Sequence, residues 1–190
     1  GMDTRLSSSM LKNAVCAGLC ASGGHAYDMG VVPTPAIAYI TAHEDFVAGI
    51  MISASHNPYY DNGIKVFNHA GVKIDDVTEA KIEAVIDGAD VELASDSKIG
   101  QVIDYSEGLK KYKAFLKETV QVDLTGLKIA IEAANGSATV SALEILTDLG
   151  ATCVVIHNTP NGLNINEKCG STHPKELQAF TVDLGCDIGL

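Results

Sequence analysis

The chain has 190 residues, 46% hydrophobic and 19% charged, which is enough apolar material for one domain or two small ones and excludes a disordered tail. It carries 13 basic and 24 acidic residues, a formal net charge of −11 with no Lys/Arg cluster. That balance argues against a nucleic-acid partner and against an anionic membrane, because both are held by concentrated positive charge; an anionic small ligand stays open, since local backbone N–H groups outweigh a distant net charge.

No apolar run approaches the ~18 residues needed to span a bilayer, and no basic segment leads into an apolar signal core. The five cysteines (Cys16, Cys20, Cys153, Cys169, Cys186) form no CxxC pair. Their number and spacing favour a reduced, cytoplasmic setting over a disulfide framework or a zinc site. Cys16 and Cys20, four apart, read as small core residues on one helix face.

In chain order, Gly1-Met2 reads as an expression scar, and the chain enters at once on Asp3-Thr4-Arg5 with no strand before it. Ser7 to Ser9 offer an N-cap; Met10, Leu11, Ala14, Val15, Gly18 and Leu19 recur at helical spacing, and Gly23-Gly24 ends the helix. Residues 25–32 read as a strand stopped by Pro33-Thr34-Pro35, and Pro35 suits the first turn of a helix reaching about His43. Residues 46–53 form a continuous apolar strand without period-2 alternation, expected to be parallel and covered on both faces. A short strand is expected over 64–67 and a helix over 75–86, with acids in its first turn. Residues 87–104 lose periodicity and gain Gly, Ser and Asp, and the domain boundary is placed there. A helix over 106–118 then carries Leu109, Tyr112, Phe115 and Leu116 on one side. Strand 127–133, helix 138–149, strand 153–157, helix 174–184 and the beginning of a third strand follow. Alternation on this scale implies βαβ units and mainly parallel sheets. The final residues, 185–190, read as a strand just starting, so both ends suggest a fragment of a longer protein.

The chemistry concentrates in the stretch GIMISASHNPYYDNGIKVF (49–67), where an apolar strand stops at Ser-Ala-Ser-His-Asn-Pro. Ligands in open α/β sheets sit off the carboxyl ends of strands. Ser55 is the candidate nucleophile, with Ser53 as its rival. His56 follows directly, and consecutive side chains diverge, so it is no triad base for Ser55. No Gly-x-Ser-x-Gly elbow surrounds Ser55 either. Asn57-Pro58 and Asp61-Asn62-Gly63 are turn formers in their own right. The residues by themselves leave three readings open: a solvated loop, a phosphate or sugar site, and hydrolytic chemistry. Lys65 stands as a cation or proton carrier beside Ser55, or as an ordinary strand lysine. Asn135-Gly136-Ser137 reads as a helix cap more readily than as an anion cradle. His173 and Cys169 are two potential ligands at a spacing that makes no metal site, and His25, His43, His69 and His157 read as structural or solvent-facing.

The stretch ISASHNPYYDNGIKVF (52–67) closely resembles the phosphoserine signature of the α-D-phosphohexomutase superfamily. DTRLSSSML (3–11), GVVPTPAIAY (30–39), NGLNINEKCGSTHP (161–174) and IEAANGSA (131–138) extend the resemblance along the whole chain, and NGLNINEKCGSTHP is most similar to the phosphoglucosamine mutase branch. The resemblance implies two αβα domains of the phosphohexomutase type, both incomplete: residues 1–103, lacking an N-terminal part, and residues 104–190, truncated before the metal loop. The implied fold class is α/β, with mixed, mainly parallel sheets flanked by helices. The implied activity is interconversion of glucosamine 6-phosphate and glucosamine 1-phosphate for UDP-N-acetylglucosamine and cell-wall precursors, through a 1,6-bisphosphate. In that pattern Ser55 is the phosphorylated residue, Lys65 and His56 lie beside it, and Arg5 matches an arginine near the active site or holds the fold through an ion pair. The implied cofactor is Mg²⁺, bound by the phosphate on Ser55 and by an Asp-Gly-Asp-Gly-Asp-Arg loop expected beyond Leu190; Asp61 and Asp187 are not its substitutes. The implied partners are a phosphosugar and, in some members, a second copy of the chain as a homodimer. Sugar recognition is expected beyond Leu190 as well, so the fragment alone is expected to be inactive. A phosphomannomutase/phosphoglucomutase of the same superfamily and a non-catalytic phosphosugar-binding module remain the rival readings.

Overall fold

The computed structural model describes residues 1–88 and 90–190. The first half opens with α1 (Ser8–Ala21), followed by β1 (Ala26–Asp28), α2 (Thr34–His43), β2 (Ala48–Ile52), β3 (Ile64–Asn68) and α3 (Asp76–Ile86). A 3₁₀ turn (Asp96–Lys98) leads to β4 (Val102–Asp104) and α4 (Glu107–Thr119). The second half contains β5 (Lys128–Glu132), a 3₁₀ turn (Ser137–Val140), α5 (Ala142–Asp148), β6 (Thr152–Ile156), α6 (Lys175–Asp183) and β7 (Ile188–Gly189). The architecture is mixed α/β, with parallel strand pairs and flanking helices, as the sequence leads one to expect.

The buried stripe of α1 is not the one its apolar residues suggest. Ser8 and Cys16 face inward, while Met10 and Leu19 are exposed. Lys12 lies part-buried on the inner side and pairs with Asp28 at 2.5 Å. Ser7 occupies the N-cap position without a side-chain cap bond, and its hydroxyl donates to Asn62 Oδ1 instead. The expected strand 25–32 is cut to three residues. Asp28 Oδ1 accepts from the Gly30 N–H at 2.9 Å, and Gly30 turns the chain at φ +68, which glycine adopts without steric cost.

The strand over 46–53 departs most from its expectation. β2 pairs antiparallel with β3, in the register Ala48↔Asn68 to Ile52↔Ile64. The loop between them, residues 53–63, is shorter than the dozen or more residues that a parallel crossover needs. Parallel contact comes on its other side, where Met2 bridges both Ile52 and Val31. α2 lies close over this hairpin: a Cβ at Gly49 would sit 2.2 Å from Thr41 Oγ1. The segment 87–104, where periodicity is lost and the domain boundary is expected, holds β4, which returns to pair in parallel with β1. Three residues are too few to show a hydrophobic period.

The first core gathers Met29, Val32, Ala36, Ile37, Ile40, Met51, Phe67 and Tyr112. Tyr112 lies on α4, so this helix packs its apolar side, including Leu109, Phe115 and Leu116, on the first half. Two of its lysines reach the second half, Lys113 to Glu144 at 2.5 Å and Lys117 to Asp148 at 2.8 Å, both on α5, while Lys111 pairs with Glu44 on the first. The second core is Ile129, Ile131 and Ala151, with Leu124, Ala142, Leu146, Cys153 and Val155 packed on it. Its sheet order is β6-β5-β7, all parallel. The helix expected over 138–149 breaks at Ser141, a buried residue, into a 3₁₀ turn and α5.

Candidate functional site

β2 carries the chain out of the first core, and the loop 53–63 begins where its last apolar pair, Met51 and Ile52, ends. Ser53 is still buried; its hydroxyl accepts from the Ser55 N–H at 3.1 Å. Ser55 itself is exposed and sits at φ +57, in the left-handed region that non-glycine residues rarely adopt. Such a residue costs roughly 1–3 kcal/mol and persists only where its surroundings over-determine it.

Arg5 supplies most of that determination. Its Nη2 donates to the carbonyls of Ser55 and Asn57, each at 3.0 Å, and its Nη1 to those of Pro58 and Asp61. Its Nε donates to Asp3 Oδ2 at 2.9 Å, and both side chains are almost fully buried. Asp3 also accepts from the Ser8 hydroxyl at 2.9 Å. The guanidinium is therefore consumed by one carboxylate and four main-chain carbonyls, and it shapes the loop from behind. From the second half, Asn166 Nδ2 donates to the same two carbonyls, Ser55 and Asn57, at 2.9 Å each. Gly63 closes the loop: its carbonyl accepts from the Ser53 N–H, and a Cβ there would lie 2.7 Å from the Ser53 carbonyl oxygen.

Lys65, on β3, donates from Nζ to the Ser53 carbonyl at 2.8 Å, which fixes its charge at the strand end two residues before Ser55. His56 is exposed beside Ser55. Ser55, His56 and Lys65 are thus grouped around one strand end, with Arg5 beneath. Asn166 is the contact that sequence reasoning did not single out; it lies inside NGLNINEKCGSTHP, and only the fold shows that it reaches Ser55.

The chemistry open to this arrangement is that of an exposed hydroxyl on a rigid turn with a cation nearby. A divalent cation is a different matter. The Asp61 carboxylate accepts from Asn57 Nδ2, and Asp3 is held by Arg5 and Ser8. Asp187 Oδ2 accepts from the Lys128 N–H, at the far sheet. The residues of the loop do not by themselves make a Mg²⁺ site.

Other sequence candidates take structural places. Asn135 is buried; its Oδ1 accepts from the Thr159 N–H and its Nδ2 donates to the Asn164 carbonyl, so it ties loops together. A cavity of about 520 Å³ opens among Val15, Cys16, Tyr27, Ile40, Phe46 and Ile50, but it is mostly apolar and none of its lining belongs to loop 53–63. Convergent polar groups, not volume, mark the site at Ser55. In the second half, Cys169 is buried beside Glu132 and His157. Burial, with the nearby carboxylates of Glu132, Glu176 and Glu167, pushes its thiol up to about 11.

Residues 1–92 match the family model described as phosphoglucomutase/phosphomannomutase, alpha/beta/alpha domain I. Curated phosphoglucosamine mutases of Streptococcus thermophilus and Streptococcus pneumoniae are 50% identical to the chain, over 190 and 192 residues that cover 99% and 100% of it. The chain spans 42% of the length of each. Among solved structures, a phosphoglucomutase/phosphomannomutase family protein of Burkholderia thailandensis superimposes with a TM-score of 0.79 at 25% identity, covering 99% of this chain and 42% of that one. The open form of the Paramecium phosphoglucomutase pp63/parafusin shares the fold, with a TM-score of 0.65 at 17% identity over 85% of this chain and 36% of that one. The strand-end serine loop, the match over residues 1–92 and the relatives along the whole length point the same way: the chain is similar to phosphohexomutases throughout, and its residues 1–92 match domain I of the phosphoglucomutase/phosphomannomutase family.

Proposed function

We propose that this chain is the N-terminal part of a phosphoglucosamine mutase, and that Ser55 is its phosphoryl carrier. The observation that carries the reading is the exposed Ser55, held in a left-handed turn by Arg5 and Asn166 at the end of a buried strand. The names of the 50%-identical relatives give the substrate class. A phosphoserine divides an intramolecular phosphate shift into two transfers. In the first, the P–O bond to Ser55 Oγ breaks and the phosphoryl group passes to the free hydroxyl of glucosamine 6-phosphate, whose proton is lost. In the second, the 1,6-bisphosphate returns its other phosphoryl group to Ser55 and leaves as glucosamine 1-phosphate. Such transfer depends on positioning and on charge stabilisation. Arg5 and Asn166 supply the first through the loop backbone, Lys65 the second, and His56 is assigned a hydrogen bond to the phosphate. The enzyme is assigned Mg²⁺, with carboxylate donors from outside loop 53–63. It is assigned a cytoplasmic location, consistent with the absence, among the described residues, of a helix long and apolar enough to cross a membrane.

The test is phosphate transfer on the whole enzyme and on this chain. Incubation of the whole enzyme with labelled glucosamine 1,6-bisphosphate, followed by peptide mapping, is expected to place phosphate on Ser55, and Ser55→Ala to abolish both label and turnover. This chain alone is expected to show no mutase turnover. Label on another residue, or turnover in Ser55→Ala, would overturn the assignment of the carrier. Faster conversion of mannose or glucose 6-phosphate than of glucosamine 6-phosphate would move the enzyme to the other branch, and no transfer at all would make it a phosphosugar-binding protein.

A further inference from the structure

We propose that Glu132, His157 and Cys169 form a binding site for a divalent ion of the zinc type, remote from Ser55 in chemistry but tied to it through one loop. Glu132 is the last residue of β5, and His157 follows the last residue of β6, the adjacent parallel strand. Their side chains therefore leave the sheet side by side at its carboxyl edge. Cys169 comes down on them from the loop that precedes α6. One ligand atom from each residue lies within 4.8 Å of the other two. Around a tetrahedral zinc ion, with bonds of about 2.0–2.3 Å, such atoms stand ~3–4 Å apart, so side-chain rotation alone closes the site.

An ordinary ion pair accounts for two of the three residues. His157 Nδ1 meets Glu132 Oε2 at 2.7 Å, and Nε2 lies 3.6 Å from Glu176 Oε2 in the first turn of α6. It does not account for Cys169. That side chain has no exposed surface, forms no disulfide, and has no hydrogen bond to its sulfur among the described residues. The sulfur, sealed beside a nearly buried carboxylate and an imidazole, lacks the partner that a cation would supply. Thiolate, imidazole and one carboxylate oxygen are the donor set that borderline transition ions prefer, and a hard, oxygen-seeking ion such as Mg²⁺ does not. The fourth place around a tetrahedral ion is open to water; Glu176, which faces His157 Nε2 at 3.6 Å, supports the imidazole from its far edge. On binding, the thiol proton passes to solvent and the imidazole carries its proton on Nε2, facing Glu176, so that Nδ1 is free to bind.

One of its ligands, Cys169, lies within the stretch that touches the serine loop. Cys169 is three residues from Asn166, whose amide holds the Ser55 and Asn57 carbonyls. A metal at Cys169 pins that stretch to β5 and β6, and so to the second core. The proposal does not depend on Ser55 being phosphorylated.

The test uses Co²⁺ as a spectroscopic substitute for Zn²⁺, titrated into the purified, reduced, chelator-treated chain. The expected result is one equivalent bound with a thiolate-to-cobalt charge-transfer band and the strong visible bands of four-coordinate cobalt, all displaced by Zn²⁺. Cys169→Ser is expected to remove the charge-transfer band, and the double variant Cys153→Ser/Cys186→Ser to keep it. Because Cys169→Ser risks the fold, His157→Gln, at a partly exposed position, provides a second reading. It is expected to weaken binding by more than the ~10–100-fold typical of losing a group that merely supports a ligand. No charge-transfer band in the unaltered chain, a band that survives Cys169→Ser, or an unchanged affinity in His157→Gln would each overturn the proposal.

Discussion

At the scale of single residues, Arg5 shows how a charge is spent on shape. Five of its contacts go to groups that cannot move away: one buried carboxylate and four carbonyls of the serine loop. Removing one partner of a buried pair strands the other, which costs about 3–5 kcal/mol. Arg5→Ala is therefore expected to lower stability by about that amount in urea unfolding, and Arg5→Lys to recover little of it. A lysine ammonium is a single point with three donors and cannot span Asp3 and four carbonyls at once. Residue identity at this position is readable as either an ion pair or a site arginine; in the structure one guanidinium holds both the Asp3 carboxylate and four carbonyls of the serine loop. His157 and Cys169 illustrate the opposite case. Each is unremarkable in the sequence, 12 residues apart on different elements, and their meeting with Glu132 depends on strands aligning in space.

At the scale of elements, α3 is held by its ends more than by its face. None of its residues is buried, so tertiary packing contributes little to it. Its N-cap, Asp75, accepts from the Thr78 N–H at 2.7 Å, and that backbone hydrogen bond holds the carboxyl below the usual carboxylate range. A depressed folded-state pKa means that the stabilisation is fully present above the ordinary carboxylate pKa and is lost as pH falls through the lowered value. The amide of Thr78 is expected to lose exchange protection in acid, once the intrinsic pH dependence is subtracted. Asp75→Ala is expected to remove that acid-side loss by exposing the amide at every pH. The start of this helix was readable because capping is local, with donor and acceptor three residues apart. The pairing of β2 was not, because an apolar strand looks the same whether its neighbour runs parallel or antiparallel. Only the length of the connecting loop distinguishes the two.

At the scale of the whole molecule, two cores are joined by a helix and by two loops. α4 gives Tyr112 to the first core and Lys113 and Lys117 to α5, while Leu6 N–H donates to the Gly162 carbonyl and Asn166 reaches the serine loop. Tyr112→Ala is expected to destabilise the first core by about 3–5 kcal/mol, the range for deleting a large buried ring. Hydrogen exchange is expected to show the loss at Met51 and Val32 while the β5 amides keep their protection; equal loss in β5 would mean that the two cores unfold as one. The sequence by itself determined the class of fold, the approximate positions of most helices and of the longer strands, and the serine loop, because periodicity, turn chemistry and a 16-residue motif are written within short windows of chain. The tertiary structure alone decided the hairpin of β2 and β3, the return of β4 to β1, the packing of α4 on the first core, and the grouping of Glu132, His157 and Cys169. These depend on which segments meet across long stretches of chain, and that choice is made by the combined burial of many side chains, which no short window contains.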